Sequence, residues 1–237
     1  MEFFDAEIVD IKQLTHDTKS FLLRLDNGKH FSYEAGQFVM LKTVVNGEEI
    51  KRAYSIASPP PKDLVHAEYI ELIIKHVPDG KMTSHLFNLE PGSEVQVEGP
   101  FGQFILKEPI QEGDIFMATG SGIAPFMAML RKVFRDHNSK QFYLFFGVRN
   151  SEEIIYRDEL ELWAHKHKNF HPIICLSEDE ADWDGEVGYV QDKLASYIKD
   201  FKDKQAYLCG IPVMVEQSRS RLLELGIKPD NIYRESY

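Results

Sequence analysis

The periodicity of the apolar residues changes once along this chain of 237 residues, and that change limits the folds it can adopt. Up to about Leu106, short segments alternate apolar and polar side chains and are separated by turn dipeptides. After Pro109, apolar runs alternate with segments whose apolar residues recur at helical spacing. Period-two alternation indicates half-buried antiparallel strands, whereas alternating strands and helices indicate a parallel sheet. The sequence therefore predicts two domains of different architecture.

The first half predicts an antiparallel β-barrel or sandwich, because its short strands are closely spaced and joined by tight turns. Strands are expected at 20–25, 38–44, 69–76 and 94–98. Turns are expected at Asn27-Gly28, Asn46-Gly47, Asp79-Gly80 and Pro91-Gly92.

The second half predicts a doubly wound parallel sheet with helices between its strands. Apolar strands are expected at 114–118, 142–146, 173–176 and 206–209, and an amphipathic helix at 125–136. The polar stretch 107–113 contains Pro109 and Gly113 and is the expected linker. Domains are therefore predicted at 1–108 and 109–237.

Composition narrows the classes of function. The formal net charge of −11 argues against nucleic-acid binding through a general positive field. The acidic start MEFFDAEIVD is unlike a signal peptide, and no apolar run approaches the roughly 18 residues of a membrane span, so a cytoplasmic protein is expected.

Cys175 and Cys209 are too few for an iron–sulfur cluster, which takes about four thiolates. His165, His167 and His171 lie near lysines, as on a solvated helix end, so no metal site is predicted.

The segment Arg52-Ala53-Tyr54-Ser55 ends a predicted barrel strand and combines three useful groups. A guanidinium offers forked donors for a pyrophosphate, a phenol offers a face for an aromatic ring, and a hydroxyl can hydrogen-bond a ring nitrogen. Together they could seat a flavin. Short Arg, Tyr and Ser strands are common at barrel rims, so the segment taken alone favours an ordinary rim strand over a flavin site.

Two glycine turns open predicted helices and could each bind a phosphate. Gly80-Lys81-Met82-Thr83 leads into a short helix, where free N–H groups favour an anion, but an ordinary Thr or Ser N-cap is equally consistent. Thr119-Gly120-Ser121-Gly122-Ile123-Ala124-Pro125 follows an apolar strand and opens a helix, which is the setting of a dinucleotide pyrophosphate loop. Pro125 replaces the third glycine of the usual fingerprint, so a plain tight turn remains the alternative.

With Gly99-Pro100-Phe101-Gly102 and Cys209-Gly210-Ile211-Pro212, these segments resemble the motifs of the ferredoxin-NADP reductase superfamily, in the family's order and over nearly the whole chain. The resemblance implies a flavin-binding antiparallel β-barrel followed by a nicotinamide-binding α/β domain. It also implies an enzyme that takes a hydride from NAD(P)H onto FAD and passes the electrons onward.

The resemblance also assigns roles to individual residues. Arg52 would hold the flavin pyrophosphate, Tyr54 would stack on the isoalloxazine, and Ser55 would hydrogen-bond near its reactive nitrogen. Tyr237 would cover the flavin and move aside for nicotinamide, with a frayed, solvated terminus as the alternative. The other expected cofactor contacts are Ala53, Gly80, Lys81, Met82, Thr83, Gly120, Ser121, Gly122, Pro125, Cys209, Gly210 and Pro212. Of all these, Ser55, Cys209 and Tyr237 are expected to take part in catalysis.

The charge near the expected adenosine ribose favours NADH over NADPH. NADP-specific relatives often carry an Arg directly after a Ser that matches Ser177, and here that position is Glu178. The segment 178–186 has six acids and no base. It would repel a 2′-phosphate, whereas a 2′-hydroxyl could donate to a carboxylate. Arg149 is the residue that would support NADPH, and a solvated loop that never touches cofactor is the other interpretation of the acidic run.

A separate electron acceptor is expected because the chain has no iron–sulfur cluster of its own. Candidates are a ferredoxin, a flavodoxin, a cytochrome, an oxygenase component or free flavin, and Lys51 and Lys81 could form a local basic docking patch. Two alternatives stay open: a reductase that uses flavin as a diffusing substrate, and an electron-transfer subunit that works only inside a complex. The residues alone do not distinguish FAD from FMN.

Overall fold

A computed structural model describes residues 2–25, 31–62 and 66–237 and divides the chain into two compact units. The first unit comprises residues 1–106 and 124–136, and the second comprises residues 107–123 and 137–237. The predicted Asn27-Gly28 turn lies outside the described residues.

The first unit is built on a six-stranded antiparallel sheet. Its strands are β1 (Phe4–Thr15), β2 (Thr18–Leu25), β3 (Phe38–Val45), β4 (Glu48–Ser55), β5 (Tyr69–Lys75) and β6 (Glu94–Phe101). The strand order is β4-β3-β6-β1-β2-β5, and a bridge between Ile56 and Leu72 joins the two edge strands. This bridge closes the sheet into the predicted barrel. One short helix, α1 (Lys81–Phe87), buries Met82 and Leu86 against the barrel core.

Helix α2 (Ala124–Arg135) also belongs to the first unit, although it follows the predicted linker. The Phe104 and Phe126 rings meet edge to face at 5.9 Å. Arg131 forms an ion pair with Glu71, and its Nη1 donates to the Ala57 carbonyl at 3.0 Å. The observed division therefore differs from the predicted boundary at 108/109, because the packing of α2 is directed to the barrel.

The second unit is a six-stranded parallel sheet with helices. Its strands are β7 (Asp114–Thr119), β8 (Phe142–Val148), β9 (Phe170–Leu176), β10 (Glu186–Val187), β11 (Ala206–Gly210) and β12 (Ile232–Ser236). Its helices are α3 (Arg157–Lys166), α4 (Val190–Tyr197) and α5 (Pro212–Glu224). The order β10-β9-β8-β7-β11-β12 confirms the predicted doubly wound sheet. The order reverses between β7 and β11, and ligands of such sheets bind beyond the carboxyl ends of the strands at that point.

No helix in the described part of the chain has both the length and the apolar character needed to cross a membrane. Within the same residues, no group of three or more His, Cys, Asp or Glu side chains is placed to hold a metal ion. His171 instead stacks on Tyr143 with ring centres 4.8 Å apart, and its Nε2 lies 2.6 Å from Gln141 Oε1.

Candidate functional site

In the first unit, the predicted flavin motif lies at the end of β4. Arg52 opposes Leu41 on β3, and Tyr54 opposes Val39. Because side chains alternate along a strand, Arg52 and Tyr54 share one face and Ala53 lies on the other. Among the described residues no carboxylate pairs with Arg52, whose Nη1 donates to the Lys51 carbonyl at 2.7 Å. An exposed guanidinium without an acidic partner fits a phosphate ligand.

Tyr54 is half-buried against the barrel core. Burial raises the pKa of its phenol to about 12, even though the nearby Arg52 charge acts in the opposite direction. The phenol is therefore neutral at physiological pH. A neutral, partly exposed ring next to a free guanidinium suits an aromatic cofactor that carries phosphates. Ser55, which opposes Phe38, is also half-buried.

The second predicted phosphate segment begins α1, beside the β3–β4 hairpin. Gly80 forms a tight turn in which a Cβ atom would lie 2.7 Å from Thr83 Oγ1 and 2.9 Å from the Val77 carbonyl oxygen. The Thr83 hydroxyl accepts from the Val77 N–H at 3.1 Å and can donate to the Gly80 carbonyl at 3.2 Å. The hydroxyl is hydrogen-bonded within the turn, and its contact with a phosphate stays a prediction. The unpaired N–H groups usual at a helix start are the remaining donors of this segment.

The lysines expected to form a basic patch are both paired with carboxylates. Lys51 Nζ lies 2.8 Å from Glu49, and Lys81 forms an ion pair with Glu48. Their charges are therefore balanced locally.

In the second unit, a cavity of about 400 Å³ lies at the carboxyl ends of the central strands. The residues that line it are Thr119, Gly120, Gly147, Val148, Arg149, Glu153, Ser177, Gly188, Tyr189, Val190, Gln191, Ile211, Val213, Met214 and Gln217. The Ile211 N–H donates to Thr119 Oγ1 at 3.2 Å and so connects the ends of β7 and β11. The cavity therefore lies at the point where the strand order reverses.

The predicted pyrophosphate loop is a 3₁₀ turn, Gly120–Ile123, that leads directly into α2 with Pro125 in its first turn. A side chain at Gly122 would collide with the Cys209 carbonyl group and approach Gly210 Cα to 2.9 Å. The glycine is required because the loop packs on the backbone that follows β11. Pro212 begins α5 directly after this backbone.

The structure brings Cys209, Ser121 and Tyr237 to the same region of the second unit. Cys209 is buried, and burial holds the pKa of its thiol well above the usual range, so the thiol stays protonated. The Tyr237 hydroxyl donates to the Thr119 carbonyl at 3.1 Å, and Ser121 Oγ lies 3.2 Å from the same hydroxyl. Glu235 pairs in register with Cys209, and burial raises the pKa of its carboxyl group.

The ends of β8 and β9 carry the residues expected to select the nicotinamide nucleotide. Val148 pairs with Leu176, so Arg149 and Ser177 leave neighbouring strands at the same level. Both line the cavity, whereas Glu178 is exposed and is not part of the lining. The Glu178 N–H donates to the Arg149 carbonyl at 2.9 Å, so its contribution here is through the backbone.

Sequence reasoning missed two cavity residues at the start of α4. Tyr189 presents an exposed ring at the cavity, and Gln191 donates through Nε2 to Gln217 Oε1 at 2.9 Å. Gln191 Oε1 is buried with no hydrogen-bond partner. Buried acceptors are nearly always satisfied, so this oxygen fits a ligand that supplies a donor. The Gly188 turn between β10 and α4 was the local pattern that could have indicated them.

Comparisons with known proteins agree with this arrangement. Residues 5–105 match the family model of the oxidoreductase FAD-binding domain, and residues 116–220 match that of the oxidoreductase NAD-binding domain. The chain is 32% identical over 243 residues to ferredoxin--NADP reductase B of Sorangium cellulosum, covering 100% of this chain and 98% of that protein. The two units and these matches define a flavin- and nicotinamide-dependent oxidoreductase. The chain belongs to the ferredoxin-NADP reductase superfamily.

Two further relatives are longer than this chain. The phenol hydroxylase P5 protein of Acinetobacter pittii is 29% identical over 238 residues, which cover 99% of this chain and 65% of that protein. The crystal structure of a cytochrome P450 reductase from Amycolatopsis superposes with a TM-score of 0.86 at 28% identity, covering 99% of this chain and 70% of that one. The chain thus spans about two thirds of each of these relatives.

Proposed function

We propose that this NAD(P)H oxidoreductase takes reducing equivalents from NADH through bound FAD and delivers them to a separate electron-accepting protein. The proposal is carried by two observations: the first unit has the exposed Arg52 and the Tyr54 ring at the end of β4, and the second unit has a cavity, lined in part by Thr119 and Gly120, where the strand order reverses. One set of groups suits a flavin nucleotide, and the other suits a dinucleotide.

FAD supplies the chemistry that joins a two-electron donor to one-electron acceptors, and the protein supplies binding, orientation and exclusion of side reactions. We assign Arg52 to the flavin pyrophosphate, Tyr54 to the isoalloxazine face and Ser55 to a hydrogen bond near the reactive nitrogen. Backbone donors at the start of α1 contribute a second phosphate contact. Tyr237 and Cys209 are assigned to the region of the nicotinamide ring.

NADH is favoured by the charges beside Ser177. The segment that begins at Glu178 is acidic, and its exposed carboxylates disfavour a second phosphate on the adenosine ribose. Gln191 Oε1 and Tyr189 are suited to the neutral part of the same nucleotide, since one accepts a hydrogen bond and the other offers an aromatic face.

A protein acceptor is supported by the kinds of relatives found. One is named a ferredoxin reductase, one a component of phenol hydroxylase, and one a cytochrome P450 reductase. We therefore propose a ferredoxin, flavodoxin, cytochrome or oxygenase component as the acceptor.

The decisive experiment is an anaerobic titration of the purified protein, followed by absorbance. We expect a yellow protein that retains FAD through gel filtration and is bleached by one equivalent of NADH. We expect kcat/KM for NADH to exceed that for NADPH by at least about tenfold, a difference of about 1.4 kcal/mol. Loss of all flavin on gel filtration would instead favour a reductase of free flavin. No oxidation of either nucleotide with an artificial acceptor would contradict the proposal.

A further inference from the structure

The cavity of the second unit has a balanced charge. Of the described residues that line it, only Arg149 and Glu153 carry a formal charge at neutral pH. The remaining lining consists of glycines, apolar side chains and neutral polar groups. Any interaction of a charged ligand group with this lining therefore depends on how these two side chains are arranged.

Arg149 and Glu153 are paired with each other. Arg149 Nη2 donates to Glu153 Oε1, one helical turn further along the chain. The Arg149 side chain is 61% exposed, whereas that of Glu153 is 7% exposed. The carboxylate is thus the buried member of the pair, and it binds the exposed guanidinium at the cavity lining.

The turn that carries Glu153 is itself held in place by backbone contacts. The Glu153 N–H donates to the Asn150 carbonyl at 3.2 Å, and the N–H of Ser151, at the start of the same turn, donates to Glu180 Oε1 at 2.8 Å. These two contacts fix the turn that carries the buried Glu153 carboxylate.

We propose that Glu153 is a specificity-determining residue that acts by positioning and neutralising Arg149, the one cation of the described lining. This inference rests on the proposed function. A 2′-phosphate beside Ser177 would need the Arg149 guanidinium, because a second phosphate requires a cation there. It would have to take that guanidinium from Glu153 while approaching a buried negative charge. A 2′-hydroxyl meets no such opposition, so the pair selects against NADPH.

The selection against NADPH that we assign to Glu153 differs from any repulsion of the 2′-phosphate by Glu178. Its side chain is exposed, outside the described lining, and subject to solvent screening, whereas Glu153 is buried within the lining. Screening by salt weakens an exposed carboxylate much more than a buried one. Discrimination that originates at Glu153 therefore persists at high ionic strength.

The test compares Glu153→Gln with two matched variants of the purified flavoprotein. Glu153→Asp keeps the charge, and Glu152→Gln removes an exposed charge from the adjacent residue of the same turn. The ligands are adenosine 2′-monophosphate and adenosine 5′-monophosphate, measured by calorimetry, together with KM and kcat for NADPH and NADH.

Glu153→Gln is expected to tighten adenosine 2′-monophosphate binding by about tenfold relative to adenosine 5′-monophosphate, because it removes the negative charge of the carboxylate that is paired with Arg149. The gain should appear in KM for NADPH rather than in kcat, and Glu153→Asp should restore discrimination. The double variant Arg149→Gln/Glu153→Gln should lose the gain. If Glu153→Gln is too unstable to purify, Arg149→Gln is the replacement variant, since the Arg149 side chain is largely exposed and its loss should not prevent folding. Arg149→Gln should bind adenosine 2′-monophosphate more weakly than the unmodified protein does.

Equal shifts in Glu153→Gln and Glu152→Gln would overturn the inference, because they would indicate a general field effect. An unchanged binding ratio in Glu153→Gln, or in Arg149→Gln, would overturn it as well. In either case, NADH oxidation and adenosine 5′-monophosphate binding by the unmodified protein would leave the proposed function standing. Absence of both in the unmodified protein would overturn the proposed function and this inference together.

Discussion

Asp114, at the start of β7, is a fully buried carboxyl group whose charge matters for stability. Burial raises its pKa from 3.8 to about 6, although N–H groups of Gln111 and Gln205 donate to it at 3.1 and 3.2 Å. A raised pKa means that the folded protein holds the proton more tightly than the unfolded chain. The contribution of Asp114 to the free energy of unfolding is therefore full below about pH 4 and is lost as the pH rises through about 6.

Asp114→Asn should remove this pH dependence. We expect the stability of the unmodified protein relative to the variant to fall by about 2–3 kcal/mol between about pH 4 and pH 7. The measurement is urea unfolding at both pH values, followed by circular dichroism. Asp182→Asn, an exposed acid of the same unit, is the control and should show no such change. A constant difference between the unmodified protein and Asp114→Asn would show that this carboxyl group keeps its ordinary pKa.

At the scale of elements, helix α2 depends on contacts with distant parts of the barrel. The side chains of Arg131 and Glu71 are 16% and 18% exposed, so their ion pair is largely removed from solvent. Arg131→Met would leave Glu71 without this cation and the Ala57 carbonyl without this donor. Removing one member of such a pair costs about 2–4 kcal/mol of stability. Lys132→Met, which removes a more exposed pair with Asp136 on the same helix, should cost less than about 1 kcal/mol.

Chemical denaturation of both variants measures this difference directly. A loss in Arg131→Met no larger than in Lys132→Met would show that the Glu71 pair is screened like a surface pair and does not anchor the helix. Thermal melting with bound flavin as a second probe should rank the two variants in the same order, because α2 and the flavin motif belong to the same unit.

The elements themselves were predictable where the pattern is local. Alternating segments predicted the barrel strands β2, β3, β5 and β6, and the spacing of Phe126 and Leu130 predicted α2 as a helix. The association of α2 with the barrel was not predictable, because the contacts of Arg131 with Ala57 and Glu71 join residues far apart in sequence. Periodicity reports which face of a helix is buried but not which element covers it.

The candidate site shows the same limit. Arg52 and Gly122 belong to sequence motifs whose chemistry can be named from the residue types alone. Glu153 and Gln191 lie in polar segments without such a motif, and only the parallel register of neighbouring strands brings their loops to one cavity. Thr83 illustrates the opposite case, since its hydroxyl matches the motif but is hydrogen-bonded within its own turn.

At the scale of the whole molecule, the net charge of −11 governs encounters with an electron acceptor. Lys51 and Lys81 do not offset it locally, because each is paired with a glutamate. A negatively charged acceptor should therefore be repelled at long range, and added salt should screen that repulsion. The Debye length falls from about 30 Å at 0.01 M to about 8 Å at 0.15 M ionic strength.

The rate of electron delivery should thus depend on salt with a sign set by the acceptor. Reduction of an acidic ferredoxin or flavodoxin should become several-fold faster between about 0.01 and 0.15 M ionic strength, whereas reduction of a basic cytochrome should become slower. Stopped-flow mixing of the NADH-reduced protein with each acceptor gives the second-order rate constants. Lys51→Glu should steepen both dependences, because it adds negative charge where the sequence had indicated a basic patch. If an acidic acceptor instead reacts more slowly as salt is added, the docking face must carry positive charge that the Lys51 and Lys81 pairs do not reveal. The electron acceptor would then be recognised by a local field opposite in sign to that of the molecule as a whole.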